Sequence, residues 1–378
     1  MNSPIYLDYN ATTPVAPEVS AAMRPWIEEQ FGNPSSSHIY GQRARKAVAQ
    51  ARESVAALIG AQPEEIVFTG SATEANNLAL LGVARAMAPH KRHLIASAVE
   101  HPAVMQPALH LREEGWDVTV LPVDEFGRIA LDDLRAALRP DTALVSVMHA
   151  NNEVGTMQPV AGIAALAHAN GTLLHTDAAQ SAGKVDLDVA ALGVDLLTLA
   201  GHKFYGPKGI GALYVRRGTA IKPILFGADQ EHGLRPGTEN VAQIVGAGET
   251  ARLARSRLPH ATRHLATLRD DLHRRLAEGV PGLLLNGHPD QRLPNTLHVS
   301  FPFVSGRDLL AATRDVAASV GSACHSDADA VSGVLAAMGC SASRARGAVR
   351  LSVGNPTTGK DIDAAAACLV QAWRAVAP

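Results

Sequence analysis

The chain has 378 residues, 47% of them hydrophobic but only 4% aromatic, with a formal net charge of −2. That balance excludes nucleic acid or an anionic membrane as the main partner, and the core must be built of Ala, Leu and Val. No apolar run approaches the length of a membrane span, and the start Met-Asn-Ser-Pro-Ile-Tyr-Leu-Asp lacks the basic and apolar regions of a signal peptide. The cysteines, Cys324, Cys340 and Cys368, are odd in number and lack metal spacing, so free thiols in a reducing cytoplasm are expected.

The length exceeds one ordinary domain, so two are expected. Short apolar runs alternate with helical stretches from about residue 63 to 215. Segments 65–69, 92–97, 117–121, 143–148, 172–175, 194–199 and 211–215 read as strands, with helix patterns over 74–87, 131–138 and 160–169 between them. Such alternation predicts an α/β fold with a mainly parallel, helix-covered seven-stranded sheet and ligands at the strands' C-terminal ends. A helical stretch from Val241 to about Gly279, interrupted by Pro259, bridges to a second, smaller α/β domain. Strands near 295–300, 316–319 and 348–351 and a closing helix from Lys360 build that domain. We expect residues 15–258 to form the large domain, and 1–14 with 259–378 the small one.

Chemistry concentrates at the strand ends. His202-Lys203 follows the apolar run 194–200 among glycines, where an ammonium is costly to desolvate and better used as an imine. Asp177 closes the neighbouring run and could meet a cationic ring nitrogen. A Schiff-base lysine with an aspartate opposite a pyridinium nitrogen is the protein half of pyridoxal phosphate chemistry. Taken singly, each is more often a surface lysine or a helix-capping aspartate; together they favour the cofactor. After strand 65–69, Ser71 with Glu74 makes a capping-box pattern, so a helix N-terminus with the Thr73 hydroxyl beside it offers an anion site. His101 follows strand 92–97, and a flat imidazole there suits stacking on a pyridine ring and proton shuttling. Asn151-Asn152-Glu153-Val154-Gly155 brings amides to the same rim, though a polar turn is its plainer reading. Cys324 lies in a Gly/Ser/Ala/Asp-rich segment, Gly321 to Ala330. Cys340 follows a helix end, and Cys368 falls within the last amphipathic helix, where cysteine behaves as a small apolar residue. His325 beside Cys324 could favour thiolate.

These motifs, from Tyr6-Leu-Asp-Tyr-Asn-Ala-Thr-Thr-Pro14 to Arg350-Leu-Ser-Val-Gly354, run in one order along nearly the whole chain. The chain resembles the cysteine desulfurases, class V members of the fold-type I pyridoxal phosphate enzymes. The resemblance implies that Lys203 binds the cofactor covalently and Asp177 partners its ring nitrogen. It implies further that Gln180 and Asn152 bond the phenolic oxygen and nearby polar atoms, and that His101 stacks on the ring. Ala72, Thr73 and His202 would hold the phosphate, with Thr238 of Arg235-Pro-Gly-Thr-Glu-Asn240 reaching the cofactor of a second subunit in a homodimer. Asn10 and Arg350 would grip the substrate carboxylate, a task suited to a guanidinium. Cys324 would take the sulfur of L-cysteine as a persulfide, leaving L-alanine, for an acceptor protein.

Within that family the resemblance is closest to the subgroup containing selenocysteine lyases, which makes L-selenocysteine the alternative substrate. Ala200 stands where most desulfurases have serine, and selenocysteine lyases likewise often carry an apolar residue there. Pro102 stands where the animal lyases carry aspartate. Gly227-Ala-Asp-Gln230 replaces a glycine triplet. Two rival readings are another class V reaction such as transamination, which leaves Cys324 without a purpose, and a non-catalytic sulfur-delivery scaffold, which predicts lost cofactor residues.

Overall fold

The computed structural model describes residues 3–321 and 332–378. A short strand, β1 (Ile5–Tyr6), precedes two helices, α1 (Pro17–Glu28) and α2 (Ile39–Leu58). Alternation follows through β2 (Ile66–Thr69), α3 (Ala72–Met87), β3 (His93–Ser97), α4 (Pro102–Glu113), β4 (Asp117–Leu121) and α5 (Leu131–Ala137). It continues with β5 (Thr142–Ser146), α6 (Val160–Ala169), β6 (Leu173–Asp177), α7 (Val189–Leu192), β7 (Leu196–Ala200) and β8 (Gly211–Val215). A long helix, α8 (Val241–Gly279), leads to β9 (Leu284–Leu285), β10 (Thr296–Ser300), α9 (Gly306–Ala312) and β11 (Val316–Ala317). The last elements are α10 (Gly333–Ala337), α11 (Ala342–Arg346), β12 (Ala348–Ser352) and α12 (Gly359–Val376).

The large sheet has seven strands in the order β2-β8-β7-β6-β5-β3-β4. Only β8 runs against its neighbours, pairing antiparallel with both β2 and β7. Strands β2, β3, β5 and β7 are buried along their whole length, which is why they are nearly continuous apolar runs rather than alternating ones. Their C-terminal ends share one rim. At β8 the approach is close: a Cβ on Gly211 would lie 2.5 Å from the carbonyl carbon of Ser71. Glycine there lets the sheet press against the start of α3.

Two findings depart from the sequence reading. The first is α2, in a region left without an element. Its buried residues Gly41, Ala44, Val48, Ala51, Val55 and Leu58 follow a three-four spacing, and the side chains are small because α8 crosses closely. A Cβ on Gly248 of α8 would sit 2.5 Å from the Cα of Ala51. The second is Pro259, expected to interrupt α8. The helix instead runs unbroken through it for 39 residues. A proline inside a helix costs about 3 kcal/mol. Leu253, Ala261, Leu265, Leu268, Leu272 and Leu276 on either side are buried, and each large one contributes roughly 1.5–3 kcal/mol. The packing outweighs the kink.

α8 also joins two apolar cores. One gathers residues from Val48 to Ala251 around the large sheet. The other joins Leu7 to residues between Leu265 and Ala372, around the small sheet β12-β10-β9 and the parallel pair β1-β11. Residues 8–13 therefore cross from the second core to the rim of the first.

Candidate active site

Ten of the twelve residues singled out from the sequence line one cavity of about 590 Å³: Asn10, Ala72, Thr73, His101, Asn152, Asp177, Gln180, His202, Lys203 and Arg350. Thr238 is exposed and lies outside it. Cys324, and His325 beside it, fall outside the described residues. A cavity of that size suits a cofactor together with a small substrate.

The floor is made by strand ends. Asp177 closes β6 and is 7% exposed. Its Oδ1 accepts the Ala179 N–H at 2.9 Å, and its Oδ2 accepts the side-chain amide of Asn76 at 2.7 Å. Asn76, from the second turn of α3, is fully buried with its own Oδ1 unpartnered. The sequence reading gave it no role, although its place in the segment after Ser71 was in view. The hydrogen bond from this fixed amide orients the carboxylate.

The anion site lies at the start of α3. Ser71 caps the helix by accepting the Glu74 N–H at 3.1 Å. The reciprocal half of the expected capping box is not made. Glu74 reaches past Ser71 to take the Gly70 N–H at 2.8 Å and binds Arg235 Nε at 2.8 Å. The arginine offsets a carboxylate that would otherwise repel an anion at this helix end.

Lys203 ends a short 3-10 turn, Gly201–Lys203, directly after β7. Its Nζ donates to the backbone oxygens of Asn10 and Ala11 at 2.7 and 2.8 Å. His202 bonds Thr12 Oγ1 through Nδ1 at 3.1 Å. Burial and the nearby lysines pull its pKa down to about 4, leaving a neutral ring in the cavity wall. His101 caps α4, its Nδ1 accepting the Ala103 N–H at 3.1 Å, which puts the ring proton on Nε2. Burial lowers its pKa, Asp177 raises it and Lys203 lowers it. Pro102 fits as the first residue of α4, where a missing N–H costs nothing. Next to His101, Glu100 is buried, and desolvation pushes its pKa up to about 8. It accepts from Ser97 Oγ and from the Met148 N–H, while its other oxygen has no partner.

The opposite wall comes from distant parts of the chain. Arg350 on β12 is 3% exposed and pairs with Asp8 at 2.8 Å. It also donates to the Asn152 and Gly321 oxygens, and its buried Nε is left without a partner. Asn151, not Asn152, builds the polar turn: its Oδ1 accepts the N–H groups of Glu153 and Val154. The Asn10 amide is fully used inside the protein, taking Asn295 Nδ2 at 2.9 Å and giving to Thr296 Oγ1 at 2.9 Å and the Asn152 oxygen at 3.2 Å. Gln230, in the segment that replaces a glycine triplet, accepts the Gly237 N–H at 3.0 Å and shapes the turn before Thr238. Ala200 contributes only apolar surface to the cavity.

Three cations, Lys203, Lys208 and Arg350, line the cavity with the carboxyl groups of Asp177, Glu153 and Glu100, the last raised to a pKa of about 8 by burial, a balance that suits an anionic ligand. The chemistry of this donor set fits pyridoxal phosphate: an amine at a strand end, a carboxylate fixed for a ring nitrogen, a flat imidazole, and a helix start pressed close by Gly211. Among the described residues no group of His, Cys, Asp or Glu could hold a metal ion, and no helix is long and apolar enough to cross a membrane.

Fold and site together define a class of protein, and the comparisons agree: residues 5–365 match the family model "Aminotransferase class-V". The cysteine desulfurase IscS of Dictyoglomus turgidum is 44% identical over 365 residues, covering 96% of this chain and 93% of that protein. A solved "NifS-like protein" superposes with a TM-score of 0.93 at 37% identity, covering 99% of this chain and all of the other. A structure titled "SspA in complex with cysteine" is 38% identical with a TM-score of 0.83, covering 92% of this chain and 98% of that one. The chain belongs to the class V aminotransferases and, within them, to the pyridoxal phosphate-dependent cysteine desulfurases.

Proposed function

We propose that this protein removes sulfur from L-cysteine, leaving L-alanine and a persulfide on Cys324 for transfer to an acceptor. The observation that carries this reading is the convergence on one cavity of Lys203, Asp177 and Arg350, from the turn after β7, the end of β6 and β12. Lys203 would hold pyridoxal phosphate covalently, Asp177 its ring nitrogen, Gln180 its phenolic oxygen, and Ala72, Thr73 and His202 its phosphate. When bound, the cofactor supplies an electron sink that makes the bond between Cβ and sulfur labile.

The residues do the rest. Arg350 orients the substrate through its carboxylate, using donors left over from Asp8 and the two backbone oxygens. The Lys203 amine, once released, moves a proton at the substrate Cα, and His101 offers its Nε2 proton on the neighbouring wall. The Cys324 thiolate attacks the substrate sulfur; the S–S bond forms as the C–S bond breaks, and its electron pair returns to carbon and is protonated. The same reading makes the protein a homodimer in which exposed Thr238 serves the partner's phosphate.

Alanine formation from cysteine and selenocysteine, measured side by side, tests the reaction. Cys324→Ala is expected to lose nearly all activity on cysteine while retaining a substantial part on selenocysteine, whose weaker carbon–selenium bond needs no thiolate capture. Mass spectrometry should find the persulfide at position 324; finding it on Cys340 or Cys368 would overturn the assignment. A fully active monomer would overturn the role given to Thr238.

A further inference from the structure

Lys184 is a buried cation for which the proposed reaction has no use. It is 6% exposed, and its backbone oxygen is held by Thr262 of α8 at 2.8 Å. Its ammonium lies one helical turn beyond Gln180 and donates to Gln180 Oε1 at 3.0 Å and, more weakly, to Asn10 Oδ1 at 3.5 Å. The charges that bear on it, from Lys203 and Arg350, are both positive, and burial together with them lowers its pKa to about 7. Burying such an amine among amide oxygens is costly.

What it does follows from donor and acceptor arithmetic. The Lys184 amine donates along this contact, so the Gln180 atom facing it is the carbonyl oxygen. The Asn10 backbone oxygen only accepts, so the Gln180 atom facing it, at 3.0 Å, must be the NH2 group. The two constraints fix the amide one way round. One N–H goes to Asn10, and the second is the donor that Gln180 has left for the cavity it lines. Lys184 adds the second constraint, and without it only the Asn10 oxygen opposes a turned amide that presents a carbonyl instead.

We propose that Lys184 is a positioning residue that holds Gln180 with an N–H, not a C=O, toward the cavity. The inference rests on the cofactor reading above. A donor at that place favours an ionised phenolic oxygen on the bound ring, because a hydrogen bond to the charged form lowers its pKa.

The test is a pH titration of the visible absorption of protein loaded with pyridoxal phosphate, together with its melting temperature. Lys184→Met removes the donor at similar volume and relieves a buried charge, so it is expected to fold. Its spectral midpoint should rise by at least about half a pH unit. Lys184→Gln, which keeps a donor, should restore most of the wild-type midpoint. In a Gln180→Ala background, Lys184→Met should move the midpoint no further, since the two act as a unit. An unmoved midpoint, a Lys184→Gln protein no closer to wild type than Lys184→Met, or an equal shift in the Gln180→Ala background would each overturn the proposal. Wild type with no visible band would sink the cofactor reading itself, whereas a normal band indifferent to Lys184 sinks only this inference.

Discussion

The two walls of the cavity are built differently. On the cofactor wall, Asp177, Lys203 and the start of α3 sit at the ends of strands that are themselves short local runs. On the substrate wall, Arg350, Asp8, Asn10 and Asn152 meet only because the second core brings separate segments together. Asn10 alone bonds Thr296, Asn295 and Ser352, some 285 to 342 positions away. A site can thus be half local and half global, and its two halves should fail differently when altered.

The largest expected effect is at Lys203. Lys203→Ala should abolish the visible band and reduce turnover by roughly a thousandfold or more, because a covalent anchor and a proton carrier go together. Retained activity with a normal spectrum would end the assignment. On the other wall, Arg350→Ala should leave the band intact and raise KM by about tenfold to a hundredfold, the worth of a charge-assisted pair. Asp8→Asn should do the same more weakly. A lost band in either would erase the contrast between the walls. Asn76→Ala removes the amide that orients Asp177, and about a tenfold fall in kcat with little change in KM is expected. A KM effect alone would reassign Asn76 to substrate binding.

The smallest effect concerns stability. Burial raises the Glu100 pKa from 4.5 to about 8. Between those values the folded protein keeps a proton that the unfolded chain has released, so stability falls as pH rises through that window. Glu100→Gln lacks this slope. Its stability relative to wild type should improve from pH 5 to pH 8 by on the order of 1–3 kcal/mol, measured by denaturant melts. A gap that stays constant would mean that Glu100 is ionised in the fold.

What was legible in the sequence follows the same division. The strand segments and the Lys203 and Asp177 positions show in local runs, since a strand buried on both faces is a continuous apolar segment. Arg350 and Asn10 carry no local signal and entered only through resemblance. Asn76 and Lys184 were missed because a polar side chain in a helix or turn looks alike in sequence whether it faces solvent or a buried carboxylate. Pro259 misled in the opposite way: a local rule favoured a break, and leucines packed on either side overrode it. The small-residue stripe of α2 was visible, but its meaning depends on α8, some two hundred residues downstream.

The stretch from β1 to Ala11 has a consequence for how the protein is made. Its backbone oxygens at Asn10 and Ala11 seat the Lys203 amine, yet it is itself seated on Val316, Ala317 and Ser352. A nascent chain that has emerged as far as residue 215 already holds every strand of the large sheet, with both Lys203 and Asp177. It lacks only the part of the seat that Val316, Ala317 and Ser352 provide, so residues 5–10 gain their full support more than a hundred positions after Lys203 has been made.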